Sequence, residues 1–411
     1  MGSWIVLAIA MVVTGAVANA PGVMLIAVLT LGYGTLATVW VRYGIARVEY
    51  TRELPTDRAV AGDSVPLDIV VWNRKSLPLP WVTAEDRLGV GLNVRERPLL
   101  RRDEVRPGLL VLRNDWALAW YERVVRHFHL DDLRRGSYRL GPAQLVVRDI
   151  FGRLAGEQEI TAANLLTVAP RMANLRHVEH NVSPLGERRA RSSLTHDPAL
   201  IAGVRPFQPG DSVRHIHWRA TARLGSLVSR RTEPARGRDV VLVLDVQTTD
   251  GTAWLTWDED LLESLCVTAA SLARHLLADG ASVGVAAASF AGSPQPFAWL
   301  APRASLAQLP RVGELLARIG PIPSRPLNAL LAWVTRRVPA STSVILITAR
   351  QPGPYVAPLR RMKRLGYGVE LVMIGTDAAD SAPPLRVAGL RVLRGSVDPS
   401  WQDPDAVTLA G

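Results

Sequence analysis

The stretch Val240-Val241-Leu242-Val243-Leu244-Asp245 decides the fold of the larger half of this chain. Five apolar residues in a row, closed by a carboxylate, read as a strand buried on both faces, as in a parallel sheet covered by helices. Residues 258–279 then predict a helix with Leu261, Leu262, Leu265, Leu272 and Leu276 on its apolar face and Gly280 as its stop. Further strands are expected over 283–288, 344–347 and 369–374, and helices over 306–319, 327–338 and 356–365. Strands alternating with helices imply right-handed crossovers and a doubly wound α/β sheet over 239–395. Residues 396–411 read as a loose tail.

Upstream, the pattern changes. Residues 46–170 carry short, branched, partly alternating runs, such as Val65-Pro66-Leu67-Asp68-Ile69-Val70-Val71-Trp72, punctuated by Gly136, Gly141-Pro142 and Gly152. Short strands at this spacing predict a small β-sandwich or barrel, and nothing in them looks catalytic.

At the start of the chain, no charged residue occurs before Arg42. Residues 4–20 and 22–41 are two apolar runs parted by the turn residues Asn19-Ala20-Pro21-Gly22, each near the ~20 residues that cross a bilayer. Residues 1–45 therefore read as a transmembrane helical hairpin. A cleaved signal peptide ending near Ala20 fits less well, because its leading segment would carry positive charge and a second apolar run follows at once; a buried core hairpin fits less well still, because some forty uncharged residues are unusual in a soluble fold. Arg42, Arg47 and Arg52 follow the second run, which places the bulk of the chain in the cytoplasm, on an inner or cytoplasmic membrane crossed more than once.

The 411 residues carry 48 basic and 37 acidic side chains, a net charge of +11. A single cysteine, Cys266, excludes an intrachain disulfide and a cysteine zinc cluster. The charge concentrates in residues 171–238, with 13 arginines against five acidic residues. An arginine surface favours anionic partners, yet no helix-turn-helix or related pattern appears, so nucleic acid is not an expected partner. Neither a phosphate-binding Gly-x-x-x-x-Gly-Lys-Ser/Thr loop nor a Gly-x-Ser-x-Gly elbow occurs. His215 and His217 lack a third ligand at metal spacing.

Within that basic segment, Gly203-Val204-Arg205-Pro206-Phe207-Gln208-Pro209-Gly210-Asp211-Ser212-Val213-Arg214-His215-Ile216-His217-Trp218-Arg219-Ala220-Thr221-Ala222-Arg223 resembles the signature of the domain of unknown function 58 family, with Phe207 where tyrosine is usual. Arg135-Gly136-Ser137-Tyr138-Arg139-Leu140-Gly141-Pro142 and Asp149-Ile150-Phe151-Gly152 are similar to that family too. The resemblance implies a layout of two membrane helices, a β-rich domain, the signature, and a von Willebrand A-like domain. The family has no settled biochemical activity, and its association with MoxR-type AAA+ ATPases implies such an ATPase as partner and an assembly-type role. The chain is accordingly expected to be a membrane-anchored interaction protein with no catalysis or cofactor of its own. Arg205, Asp211, Arg214, Trp218 and Arg223 are the candidate binding residues. Asp211 is expected to pair with Arg214 or Arg223, and Trp218 to pack against the sheet. The alternatives are an enzyme of unknown reaction centred on Arg205–Arg223 and an anion- or nucleic-acid-binding protein driven by the basic segment.

Von Willebrand A-like domains often hold Mg²⁺ through oxygen ligands that begin with Asp-x-Ser-x-Ser after the first strand. Here that stretch is Asp245-Val246-Gln247-Thr248-Thr249. Asp245 and Thr249 are candidate ligands, but Gln247 replaces a serine. Near the fourth strand, Ala349 and Arg350 stand where Asp-Gly is expected, and Ser324 is the nearest candidate for the loop hydroxyl. The set reads as a degenerate site that holds no metal, with Asp245 capping its turn and pairing with an arginine.

Overall fold

A computed structural model of the chain describes residues 3–89, 91–95, 100–102, 109–149, 152, 155–177, 196–206, 217–234, 239–252, 254–351, 353, 355–375, 389–398 and 403–410. The chain divides into two compact units, Met1–Ala169 and Pro170–Gly411.

The first unit opens with helices α1 (Ser3–Val17) and α2 (Pro21–Ile45). Asn19 turns the chain between them with a φ of 47°, a conformation asparagine tolerates. Pro21 then starts α2, where its missing N–H is harmless. Small residues let the helices approach: a Cβ on Gly15 would lie 3.0 Å from Met24 Cγ. Leu7, Ile9, Val13, Leu25, Val28 and Leu29 are exposed around the pair. At 25 residues, α2 is long and apolar enough to cross a bilayer. The 15 residues of α1 rise only about 22 Å, short of a ~30 Å hydrocarbon core. The first apolar run thus gives a shorter helix than its length predicts, because its last residues form the turn.

The later half of α2 packs on the β-domain of the same unit. Tyr33 Oη donates to Asp149 Oδ2 at 3.0 Å. Lys75 Nζ donates to the carbonyls of Gly44 and Ala46, both at 2.8 Å, a cation on the negative end of the helix.

That domain comprises β1 (Val48–Glu53), β2 (Arg58–Val60), β3 (Val65–Asn73), β4 (Leu79–Gly89), β5 (Asn93–Val94), β6 (Leu100–Arg102), β7 (Leu109–Leu118), β8 (Arg123–Asp131), β9 (Gly136–Arg148), β10 (Ala155–Ile160) and β11 (Asn164–Ala169). One sheet has the order β1-β3-β8-β5; the other runs β2-β11-β9-β4-β7-β6, with β10 also on β9. Alternate residues of both sheets, among them Leu67, Ile69, Val71, Val82, Ala84 and Leu145, share one core, the sandwich arrangement that strand periodicity dictates. Strand β9 runs through Gly141-Pro142, which the sequence reads as a break; its partner on one side changes there from β11 to β10. Gly141 has a φ of +101°, and a Cβ there would meet Arg52 Nη2 at 2.5 Å and the Ala162 carbonyl at 2.8 Å.

The second unit contains β12 (Asn174–His177), β13 (His196–Pro206), α3 (Trp218–Leu224), β14 (Val228–Pro234), β15 (Asp239–Leu244), α4 (Glu259–Ala278), β16 (Ser282–Ala287), β17 (Ala298–Arg303), α5 (Leu309–Ala317), α6 (Leu327–Thr335), β18 (Ser343–Thr348), α7 (Val356–Arg364), β19 (Gly368–Ile374), β20 (Arg391–Asp398) and β21 (Ala406–Ala410). Strands β13 and β14 form a separate antiparallel pair. The rest make one sheet in the order β12-β21-β20-β19-β18-β15-β16-β17. Its centre, β20 to β16, is parallel, and β17 closes one edge antiparallel. On β15, Val240, Leu242 and Leu244 face α4 and α5, while Val241 and Val243 face α6 and α7. Helices therefore cover both faces, as the unbroken apolar run requires. Helix α4 also has the length and apolarity of a membrane span, but it is mostly buried and is the core helix of this sheet.

The expected loose tail is corrected. Residues 406–410 form β21, antiparallel to β20 and parallel to β12, and Ala406, Val407 and Leu409 are buried. Their alternation fills the open edge of β20, a need that only the assembled sheet creates.

Candidate functional site

The carboxyl ends of β15 and β18 lie side by side where the sheet reverses direction: β15 leads through α4 to β16 on one side, and β18 through α7 to β19 on the other. Such switch points are where doubly wound sheets bind ligands.

Asp245 sits at this point, buried at 4% exposure. Its N–H donates to the Ile347 carbonyl at 2.9 Å, extending the ladder by one residue. Oδ2 accepts from Thr348 Oγ1 at 2.8 Å and from Arg350 Nε at 2.9 Å. Oδ1 accepts from the Gln247 N–H at 3.3 Å. Arg350 Nη1 donates to Gln247 Oε1 at 3.0 Å, and the Arg350 carbonyl accepts from Tyr355 Oη at 2.8 Å. The cation on Asp245 is thus an arginine of the chain itself. Burial pushes the Asp245 carboxyl above its usual range, against the pull of Arg350. Burial also raises the Tyr355 phenol, which acts as a neutral donor that fixes the arginine backbone.

Thr249 does not serve Asp245. Its hydroxyl donates to the Thr256 carbonyl at 2.9 Å. Thr248 accepts from the Asp258 N–H at 2.8 Å, and Asp258 caps α4 by accepting from the Leu261 N–H at 3.0 Å, standard N-cap chemistry. Ser324 Oγ donates to the Pro296 carbonyl. Among the described residues, no group of three His, Cys, Asp or Glu side chains converges as a metal site.

Between these anchors, the loop from Thr249 to Asp258 carries Trp254, Leu255 and Trp257, exposed at 68%, 72% and 45%. Phe290, on the loop after β16, is exposed as well. These residues leave large apolar side chains in water at the carboxyl edge of the sheet. Sequence reasoning missed them, because a tryptophan beside leucine reads as core.

The binding residues taken from the signature are dispersed. Arg205 lies on β13 opposite Ser229. Asp211 and Arg214 lie outside the described residues, as does His215. Trp218 opens α3 and is 63% exposed, which corrects the expectation that it packs on the sheet. Arg223 is exposed in the last turn of α3. Cys266 is buried in α4.

The carboxyl edge of a doubly wound sheet, with an arginine-latched aspartate and exposed aromatics, defines the class of site. The family described as "Protein of unknown function DUF58" matches residues 203–303, from β13 through β17. The chain is similar to the uncharacterized protein YeaD of Bacillus subtilis (strain 168), 23% identical over 254 residues. That likeness covers 59% of this chain and 56% of the relative, so the chain spans about half the length of the curated protein it matches. Among solved structures, the CARDB domain of the PF1109 protein from Pyrococcus furiosus is 15% identical, with a TM-score of 0.20, covering 29% of this chain and 86% of that one. A cohesin module from Clostridium perfringens is 12% identical, with a TM-score of 0.20, covering 29% and 96%.

Proposed function

We propose that this chain is a membrane-anchored docking and assembly protein with no catalysis of its own, working beside a MoxR-type AAA+ ATPase. Its α/β unit is read as von Willebrand A-like, without the shared-cation mode of binding. One observation carries the reading: Arg350 is seated on Asp245, and Gln247, bonded to that arginine, also holds the Gly251 carbonyl of the loop on which Trp254, Leu255 and Trp257 stand in water. A cation supplied by the chain removes the reason for a metal there, and desolvation of aromatics is a strong source of binding energy at interfaces. The α1–α2 hairpin is the anchor, supported by the exposed apolar residues of α1 and of the first half of α2; the second half of α2, from Tyr33 onward, stays on the β-domain, with Arg42 and Arg47 retained on the cytoplasmic side. Exposure of Trp218 and Arg223 on α3 supports the signature as a second contact surface. The resemblance to the domain of unknown function 58 family supplies the ATPase as the partner to look for. Affinity recovery of the full chain from native membranes tests this. An AAA+ ATPase enriched with the parent is the expected result, and recovery of none from membranes that contain one contradicts it.

A further inference from the structure

Helices α6 and α7 lie side by side on the face of the α/β sheet opposite α4. Between them runs a cleft of about 640 Å³. Its floor is apolar, built from the buried Leu331 and Met362 with Ala332 and the exposed Leu365 at the sides. Its rim carries Arg336 from the end of α6 and Arg361 and Arg364 from α7, all exposed.

The charge around this cleft has one sign. From residue 315 to residue 369 the chain has no Asp or Glu, against nine Arg and Lys. The acids that bound the stretch are already engaged, Glu314 by Arg318 at 2.6 Å and Glu370 by Arg391 at 3.1 Å. Arg350 is spent on Asp245, and Arg337 stacks on Trp333 at 4.2 Å. The rim arginines are left to face solvent. Ordinary helix surfaces intersperse both signs; a one-signed rim over an apolar floor is built for an anionic, amphipathic occupant.

The geometry points to an acidic amphipathic helix of a protein partner as the occupant of the α6–α7 cleft. The apolar stripe of such a helix would cover Leu331, Met362 and Leu365, the helix-in-groove mode of recognition. Its flanking carboxylates would meet Arg336, Arg361 and Arg364, whose planar guanidinium groups pair bidentately with carboxylates. Helices α6 and α7 have nine residues each, about 14 Å of length, so two to three turns of the partner make contact. Concavity favours a helix over a lipid surface, because a flat bilayer cannot reach the buried floor. This inference stands apart from the switch-point reading, since the cleft shares no residue with the Thr249–Asp258 loop.

The test uses the full chain in phosphatidylcholine nanodiscs and a fluorescent probe peptide of about 18 residues. Leucines are spaced in the probe at i, i+3, i+4 and i+7, with glutamates on the flanks. A scrambled peptide of the same composition is the control. The parent binds the amphipathic probe at least about tenfold more tightly than the scramble, and the binding weakens with salt. R361E/R364E and, separately, Ala332→Trp, which fills the cleft from an exposed position, each weaken it about tenfold or more. W254A/W257A binds it as the parent does, so failure here and failure of the switch-point reading are told apart. Equal binding of probe and scramble, or full affinity in both cleft variants, overturns the proposal. So does a parent that ignores the peptide while a fluorophore on Ala357→Cys responds to phosphatidylglycerol vesicles and not to phosphatidylcholine ones; the surface is then a lipid contact.

Discussion

Arg350 Nε lies 2.9 Å from Asp245 Oδ2, with the two side chains 11% and 4% exposed. Two strands that are 103 residues apart in sequence, counted from Asp245 to Thr348, are thereby tied at their carboxyl ends. Arg350→Ala removes the cation and leaves a carboxylate buried with Thr348 and one backbone N–H. Loss of one partner from a buried pair costs about 3–5 kcal/mol. The variant raises the folded-state Asp245 carboxyl further above its unfolded value. An acid raised in this way contributes stability in full below its unfolded value and loses it as pH rises through the folded one. The deficit of Arg350→Ala is therefore largest at neutral pH and shrinks toward pH 4. Denaturant titrations of parent and variant across that range measure it, and a pH-independent deficit under about 0.5 kcal/mol contradicts the latch.

With Arg350 seated on Asp245, Mg²⁺ is expected to find no open carboxylate at that position. The midpoint of thermal unfolding should not move between excess chelator and about 5 mM Mg²⁺, whereas a ligand at a hundred times its Kd adds about 2.7 kcal/mol. An upward shift would show that Asp245 binds the ion.

In the β-domain, Arg52 Nε meets Asp86 Oδ2 at 2.6 Å with both side chains buried, and Tyr50 Oη donates to the same oxygen at 2.8 Å. Asp86→Ala strands a buried guanidinium and should cost about 3–5 kcal/mol. Replacing the pair together, Asp86→Leu with Arg52→Met, should recover most of that loss, because apolar substitutes for a buried pair are often neutral. Chemical denaturation of the three variants decides it; a double variant as unstable as Asp86→Ala contradicts the account.

Lys75 and Lys363 are the only lysines. Burial lowers the Lys75 ammonium to about 8. The free amine is the nucleophile, so acylation of Lys75 should rise with pH and reach half its plateau rate near pH 8, read by peptide mass spectrometry. The unfolded chain binds this proton more tightly, at about 10.4, so the Lys75 contribution to stability increases from pH 8 to pH 10. A half-rate above pH 10 would place the amine in open water.

Much of this architecture is legible in the sequence where local and global preferences agree. The run 240–244 announces a strand covered on both sides, and Asp258 with Gly280 brackets α4. Signals fail where the assembled fold decides. Residues 406–410 are a strand because β20 lacks a neighbour, and Gly141-Pro142 lies within β9 because the strand exchanges partners there. The Asp245–Arg350 pair could be suspected from the arginine at a ligand position. The water-facing Trp254 and Trp257 could not, since composition alone does not tell a core tryptophan from a docking one.

Capture of a partner by the aromatic loop that follows the latched Asp245 is the core of the proposed function. The most direct measurement is the recovery of the proposed AAA+ ATPase partner from native membranes by the parent and by W254A/L255A, whose positions are 68% and 72% exposed and leave stability within about 0.5 kcal/mol. The variant should melt like the parent and lose at least about tenfold of the recovered ATPase; equal recovery by both chains would rule out the loop as the docking surface.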